Sequence, residues 1–192
     1  MEDFLEHGSG EASRGSRRRA WLIAALVGLV AVVALVLFWF QPQKLFIDDR
    51  VDEAIPTAAP PTTAPPSPGP SAAPPTTAGP VEVARGDFVS LDHGTSGVAR
   101  VLDLPDGKRI VRLEGLDTDN GPDLYLYLTT NAADGDEGAF DDDFVNLGRL
   151  KGNLGDQNYD LATDADLARY GTVVIWCDRF NSAFGAADLT RA

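Results

Sequence analysis

Twenty-one consecutive residues, Ala20 to Phe40, carry no charge and almost no polar atom (AWLIAALVGLVAVVALVLFWF). At the rise of an α-helix such a run spans roughly 31 Å, the hydrocarbon thickness of a bilayer. The segment is therefore predicted to be a transmembrane helix. Trp21 at one end and Phe38-Trp39-Phe40 at the other fall where aromatic rings settle at headgroup depth. A cleaved signal peptide is the weaker reading, because the apolar run exceeds the usual core of roughly 7 to 15 residues and no small-x-small pattern follows Phe40. Arg14, Arg17, Arg18 and Arg19 precede the span, whereas Lys44 and Arg50 after it are diluted by Asp48, Asp49, Asp52 and Glu53. Cations concentrate on the cytoplasmic side. Residues 1–19 are thus expected in the cytoplasm and the C-terminal part outside the cell membrane, on a single-pass anchor at residues 20–40.

Residues 41–80 read as a juxtamembrane segment and linker. Ten of the chain's 13 prolines lie in residues 56–80, among Ala, Thr, Ser and Gly and without a charge. Such a composition cannot bury a core and prefers polyproline II. At about 3.1 Å per residue, it is expected to form a stalk of up to roughly 75 Å.

Residues 81–192 are of domain size and hold 21 acidic against 10 basic side chains, most of the excess behind the net charge of -13. That charge excludes a nucleic-acid binder and favours a self-repelling, monomeric outer domain. Short alternating apolar runs are separated by Gly, Asp, Asn and Pro, which predicts strands at 88–91, 97–104, 109–113, 123–130, 144–150, 158–161, 172–177 and 183–189. Asp106-Gly107 marks a hairpin. One short helix is expected over 164–170, opened by Thr163 or Asp164 as cap. The fold class is all-β, an antiparallel sandwich or barrel of about eight strands.

The lone cysteine, Cys177, lies in Val173-Val174-Ile175-Trp176-Cys177-Asp178-Arg179-Phe180, which is apolar on both faces and so reads as a central strand. It has no partner for an intramolecular disulfide. Its default role is that of a small hydrophobe. Arg179, one step along the same face and roughly 7 Å away, favours the thiolate and thus reactivity.

Several motifs occur in one order: Gly86-Asp87-Phe88, Leu91-Asp92-His93-Gly94-Thr95-Ser96-Gly97, Thr118-Asp119-Asn120-Gly121-Pro122-Asp123-Leu124, Leu147-Gly148-Arg149-Leu150-Lys151-Gly152-Asn153, Gly155-Asp156-Gln157-Asn158-Tyr159, and Trp176-Cys177-Asp178-Arg179-Phe180 through Phe184-Gly185-Ala186. Together they resemble the electron transfer DM13 domain family over residues 83–190. The resemblance implies an all-β extracytoplasmic domain in which Cys177 works in redox chemistry, as a bare thiol or as a ligand to a group such as haem, with an extracytoplasmic redox partner.

The residue inventory narrows the cofactor. One cysteine excludes a four-thiolate iron–sulfur cluster and a thiolate zinc site, and one outer histidine, His93, excludes a blue-copper set. No C-x-x-C-H occurs for covalent haem. What remains is a free thiol, or a noncovalent haem ligated by His93, Cys177 or a tyrosine. His93 itself reads equally as a turn residue held by its neighbour Asp92 and as a ligand or proton carrier.

Asp117-Thr118-Asp119-Asn120-Gly121-Pro122-Asp123 concentrates oxygen ligands of the kind calcium prefers. The run fails as an EF-hand, and a tight Asx and Gly-Pro turn is its first reading, with a calcium site at Asp117, Asp119, Asn120 and Asp123 second. The acidic stretch 134–143 reads as a solvated loop. Two functions follow: a membrane-anchored redox domain working through Cys177 with help from His93, or a noncatalytic cell-surface interaction module in which Cys177 packs. No hydrolase or transferase motif surrounds either residue.

Overall fold

The computed structural model describes residues 11–40, 47–57 and 79–192, and divides the chain into two compact units, Met1–Pro42 and Gln43–Ala192. The first holds one helix, α1 (Glu11–Phe40). Its Arg18–Trp39 stretch has a mean hydropathy of 3.0 and is wholly exposed, and it is long and apolar enough to cross a membrane. Most of the expected stalk falls outside the described residues.

The second unit is built from eleven described strands: β1 (Arg50–Asp52), β2 (Val81–Asp87), β3 (Val89–Ser90), β4 (Thr95–Asp103), β5 (Arg109–Thr118), β6 (Leu124–Thr129), β7 (Phe144–Arg149), β8 (Leu154–Leu161), β9 (Thr172–Cys177), β10 (Ser182–Asp188) and β11 (Thr190–Arg191). They form two sheets, β1-β8-β5-β4-β2-β11 and β3-β10-β9-β6-β7. Every pairing is antiparallel except β1 with β8. The result is an all-β sandwich of two open sheets.

The hairpin expected at Asp106-Gly107 joins β4 to β5. Gly107 takes φ +84, a left-handed conformation that a side chain would oppose, while Asp106 Oδ1 accepts from the Lys108 amide. Inward-facing residues of both sheets, among them Val101, Val111, Leu113, Leu126, Val173 and Ile175, make the main core and are essentially inaccessible. A second cluster covers the opposite face of β9, where Val174 and Trp176 pack with Tyr127, Ala183 and Ala186 under Phe140 and Ala133 from the 130–143 connection. That acidic connection was expected to be merely solvated. It is polar at its rim, but it carries a buried aromatic lid.

The expected helix over 164–170 does not form. Asp166 Oδ1 accepts from the amides of Ala168 and Arg169, and the Asp166 carbonyl accepts from Tyr170, so the segment closes in side-chain-held turns. Aspartate competes with the helix for its own backbone donors. The described helix of this unit is instead a single 3-10 turn, Glu137–Ala139, capped by Asp136.

β1, β2 and β11 raise the strand number above the eight expected. β1 is the consequential one, because it comes from the juxtamembrane segment. It runs parallel to β8 with Arg50, Val51 and Asp52 opposite Leu154, Gly155 and Asp156. The sandwich therefore includes residues upstream of the Pro-rich run as well as those after it.

Candidate functional site

β9 is the middle strand of its sheet, and all six of its residues are buried. Valine, isoleucine and tryptophan in succession suit a strand covered on both faces. Alternation turns Cys177 toward the main core, in line with Val173 and Ile175. It ends the strand, opposite Leu124 of β6 and Ser182 of β10.

The chain then reverses through residues 178–181. Phe180 donates its amide to the Cys177 carbonyl at 3.2 Å, and Asn181 takes φ +51, the one non-glycine residue with positive φ among those described. On the other side the Asp178 amide donates to the Asp123 carbonyl at 3.1 Å, tying this turn to the one before β6. The two turns close over the sulfur. Burial pushes the Cys177 thiol above its ordinary pKa, and backbone N–H groups of Phe180, Arg179 and Asp123 pull the other way without overcoming it. The side chain is 0 % exposed and makes no disulfide.

His93 lies at the same end of the sandwich. Its Nδ1 is 3.0 Å from Asp119 Oδ2 and its ring stacks on Phe184, 3.7 Å between centroids. Phe184 in turn belongs to the core cluster that holds Cys177. The partner expected for His93, its neighbour Asp92, instead accepts from Ser182 Oγ. Thr95 Oγ1 fixes the arrangement from below by bonding Thr118 Oγ1 at 2.8 Å and the Phe184 carbonyl at 3.1 Å. The structure therefore gathers His93, Asp119, Asp123, Phe184 and Cys177 at one end, with an aromatic ring rather than a hydrogen bond relating histidine to cysteine.

In the oxygen-rich turn Asp119, Asn120 and Asp123 each have a partner of their own. Asp119 is spent on His93, and Asn120 donates to the Ile47 carbonyl while its own Oδ1 accepts from Gly121. Asp123 faces Arg149, Nη2 to Oδ1 2.5 Å, an ion pair by distance without the angle of a hydrogen bond. Asp117 sits in the β5 ladder opposite Ser96 and Leu154. Among the described residues no group of three or more His, Cys, Asp or Glu side chains is placed to hold a metal.

A haem ligated by Cys177 does not fit this fold. The residue is 0 % exposed and packed within the main core, which leaves no room for a porphyrin edge. Three surface hollows are lined by residues around Glu53 and Asp160, around Asn120 and Gly152, and around Arg85 and Asp188; neither Cys177 nor His93 lines any of them.

With that geometry in view, comparison with known families is decisive on ancestry. The family model described as electron transfer DM13 matches residues 87–189. The chain belongs to the electron transfer DM13 family. No curated protein and no solved structure matches it. The matched span starts at the end of β2 and stops within the last turn before β11, so β1 and its contacts lie outside it. For this DM13 domain the sequence pointed to Cys177 and His93, whereas Asp119 as the partner of the histidine and the backbone amides near the sulfur were not visible. The Thr-Asp-Asn-Gly-Pro-Asp run carried the signal, but its turn geometry had to be known before any one carboxylate was assigned.

Proposed function

We propose that this protein is a membrane-anchored electron-transfer domain, with α1 as a single-pass anchor, residues 1–19 in the cytoplasm, and the DM13 sandwich outside, and that the free thiol of Cys177 works by thiol–disulfide exchange: its thiolate attacks a disulfide of an extracytoplasmic redox protein, the partner's S–S bond breaks as a mixed disulfide forms, and the partner's other sulfur leaves as a thiol. The observation that carries the reading is the family match together with the placement of this chain's one cysteine, buried at the end of β9 where the 178–181 turn begins. Amides aimed at a sulfur stabilise negative charge on it, while burial opposes that charge. With the turn closed the thiol is protonated and protected. When the 178–181 turn opens, the desolvation penalty falls and the sulfur becomes a competent electron-exchanging group. His93 and Asp119 hold the same end of the sandwich in register, as positioning residues.

The test is alkylation of the full chain in detergent micelles. Cys177 should react slowly in the native state, at a rate independent of reagent strength once opening is limiting, and fully after denaturation. Reaction at the rate of free cysteine would contradict a gated thiol.

A second reading is favoured by the complete burial of Cys177. In it the sulfur only fills the core and the acidic sandwich is an interaction module at a cell surface. Cys177→Ala then leaves function intact, which the redox reading forbids.

A further inference from the structure

Residues 47–55 lie along the edge of β8 as a strap, and the acceptor surface is shaped for them. A Cβ on Gly152 would collide with the Asp49 carbonyl, and one on Gly155 with the Val51 carbonyl. Gly155 also has φ +95, so a side chain there is doubly excluded. Asn153 reads the strap twice, accepting from the Asp49 amide at 2.7 Å and donating to Asp48 Oδ1 at 2.9 Å. Beyond β1, Glu53 is held by Lys151 Nζ at 2.8 Å and by the Asn158 amide at 2.7 Å. Its carbonyl accepts from Arg112, which is 5 % exposed and would otherwise keep a buried donor unpaired. Ile55 finishes the strap by packing on Leu102, Leu104 and Ile110.

From this we infer that the β8 edge is a peptide-binding site whose ligand is the chain's own acidic juxtamembrane segment, bound as a parallel strand, and that this noncovalent bond rather than the Pro-rich segment ties the outer sandwich to α1. Strand addition supplies the affinity through backbone bonds, and the glycine clearances, Asn153 and the Lys151 and Arg112 cations supply the selectivity. Residues 41–46 alone then set the reach of the tether, at most about 22 Å when fully extended. Residues 56–80 begin and end in the same sandwich, so they carry no load until the strap leaves. Undocking lengthens the tether by the whole Pro-rich run. The inference is independent of the redox reading of Cys177.

The experiment uses the full chain in detergent micelles, with a specific protease site placed between residues 60 and 76 and an affinity tag at the N-terminus. After cleavage at neutral pH the outer fragment should remain bound to the tagged fragment through the strap. Glu53→Lys, on the strap rather than on the acceptor strand, should lower retention tenfold or more, and Gly152→Val on the acceptor side should do the same. An excess of a free peptide spanning residues 47–56 should displace the wild-type outer fragment. If the wild-type fragments separate as completely as those of Glu53→Lys, or if Glu53→Lys stays bound like the wild type, the β8 edge is not the tether.

Discussion

The guanidinium of Arg112 donates to the backbone carbonyl of Glu53 at 2.9 Å, joining the middle of the first sheet to a residue 59 positions upstream. Arg112 also donates to Glu114, Asp156 and Asn158. It faces Arg100 across the ladder, and the two cations are tolerated because Glu114 accepts from both and Glu82 pairs with Arg100. A buried cation thus organises the outer face of the sheet and reports on the strap.

Arg112→Ala should destabilise the sandwich by about 2 to 3 kcal/mol, below the usual cost of breaking a buried ion pair because its carboxylate partners keep some access to water. Chemical denaturation of the full chain measures it. A loss under about 0.5 kcal/mol, the range of ordinary surface substitutions, would mean that the network contributes nothing beyond solvation.

Strap docking should weaken in acid. Burial pushes the Glu53 carboxyl up, but hydrogen bonds from Lys151 and the Asn158 amide, with the charges of Lys151 and Arg112, outweigh it and hold the group below its ordinary value of 4.5. A carboxylate with a depressed bound-state pKa stabilises docking fully above its ordinary pKa, and that stabilisation is lost as pH falls through the depressed value. Asp156 and Asp160 also face this region. Proximity of Val51 to Gly155, followed by NMR, should therefore persist above the ordinary carboxyl value of 4.5 and fade as pH falls below it, and Glu53→Gln should flatten that loss.

Asn181 sits at φ +51 in the turn that covers the sulfur. Asn181→Gly relieves the left-handed penalty and should slow alkylation of native Cys177, while Asn181→Val adds roughly 1 to 2 kcal/mol of strain to the closed turn and should speed it by about 5- to 30-fold. Equal rates in all three proteins would place the opening elsewhere.

Trp176 is 0 % exposed and its Nε1 finds no hydrogen-bond partner among the described residues. An unpaired buried donor costs stability. Trp176→Phe removes that donor along with some volume, so it should change stability by only about 1 kcal/mol, against about 3 to 5 for Trp176→Ala. Thermal unfolding of the two variants separates the terms.

Strands with strong local patterns were legible in the sequence. β9 announces itself by an unbroken apolar run, and the β4–β5 hairpin by Asp106-Gly107. β1 was not legible, because Arg50-Val51-Asp52 has no alternation long enough to register and its partner lies a hundred residues away. Asp164 to Tyr170 misled for the opposite reason: its pattern is helical, but Asp166 satisfies the backbone amides with its own side chain. At the site, the burial of Cys177 followed from neighbouring residues, whereas the choice of Asp119 over Asp92 by His93 depends on how two distant turns meet.

The central claim is that electrons pass through the sulfur of Cys177, and a titration of the full-length protein in detergent against mixtures of reduced and oxidised glutathione, beside Cys177→Ala, tests it most directly. The account predicts a mixed disulfide that forms and is released reversibly in the wild type and none in the variant. Identical titrations of the two proteins would contradict it.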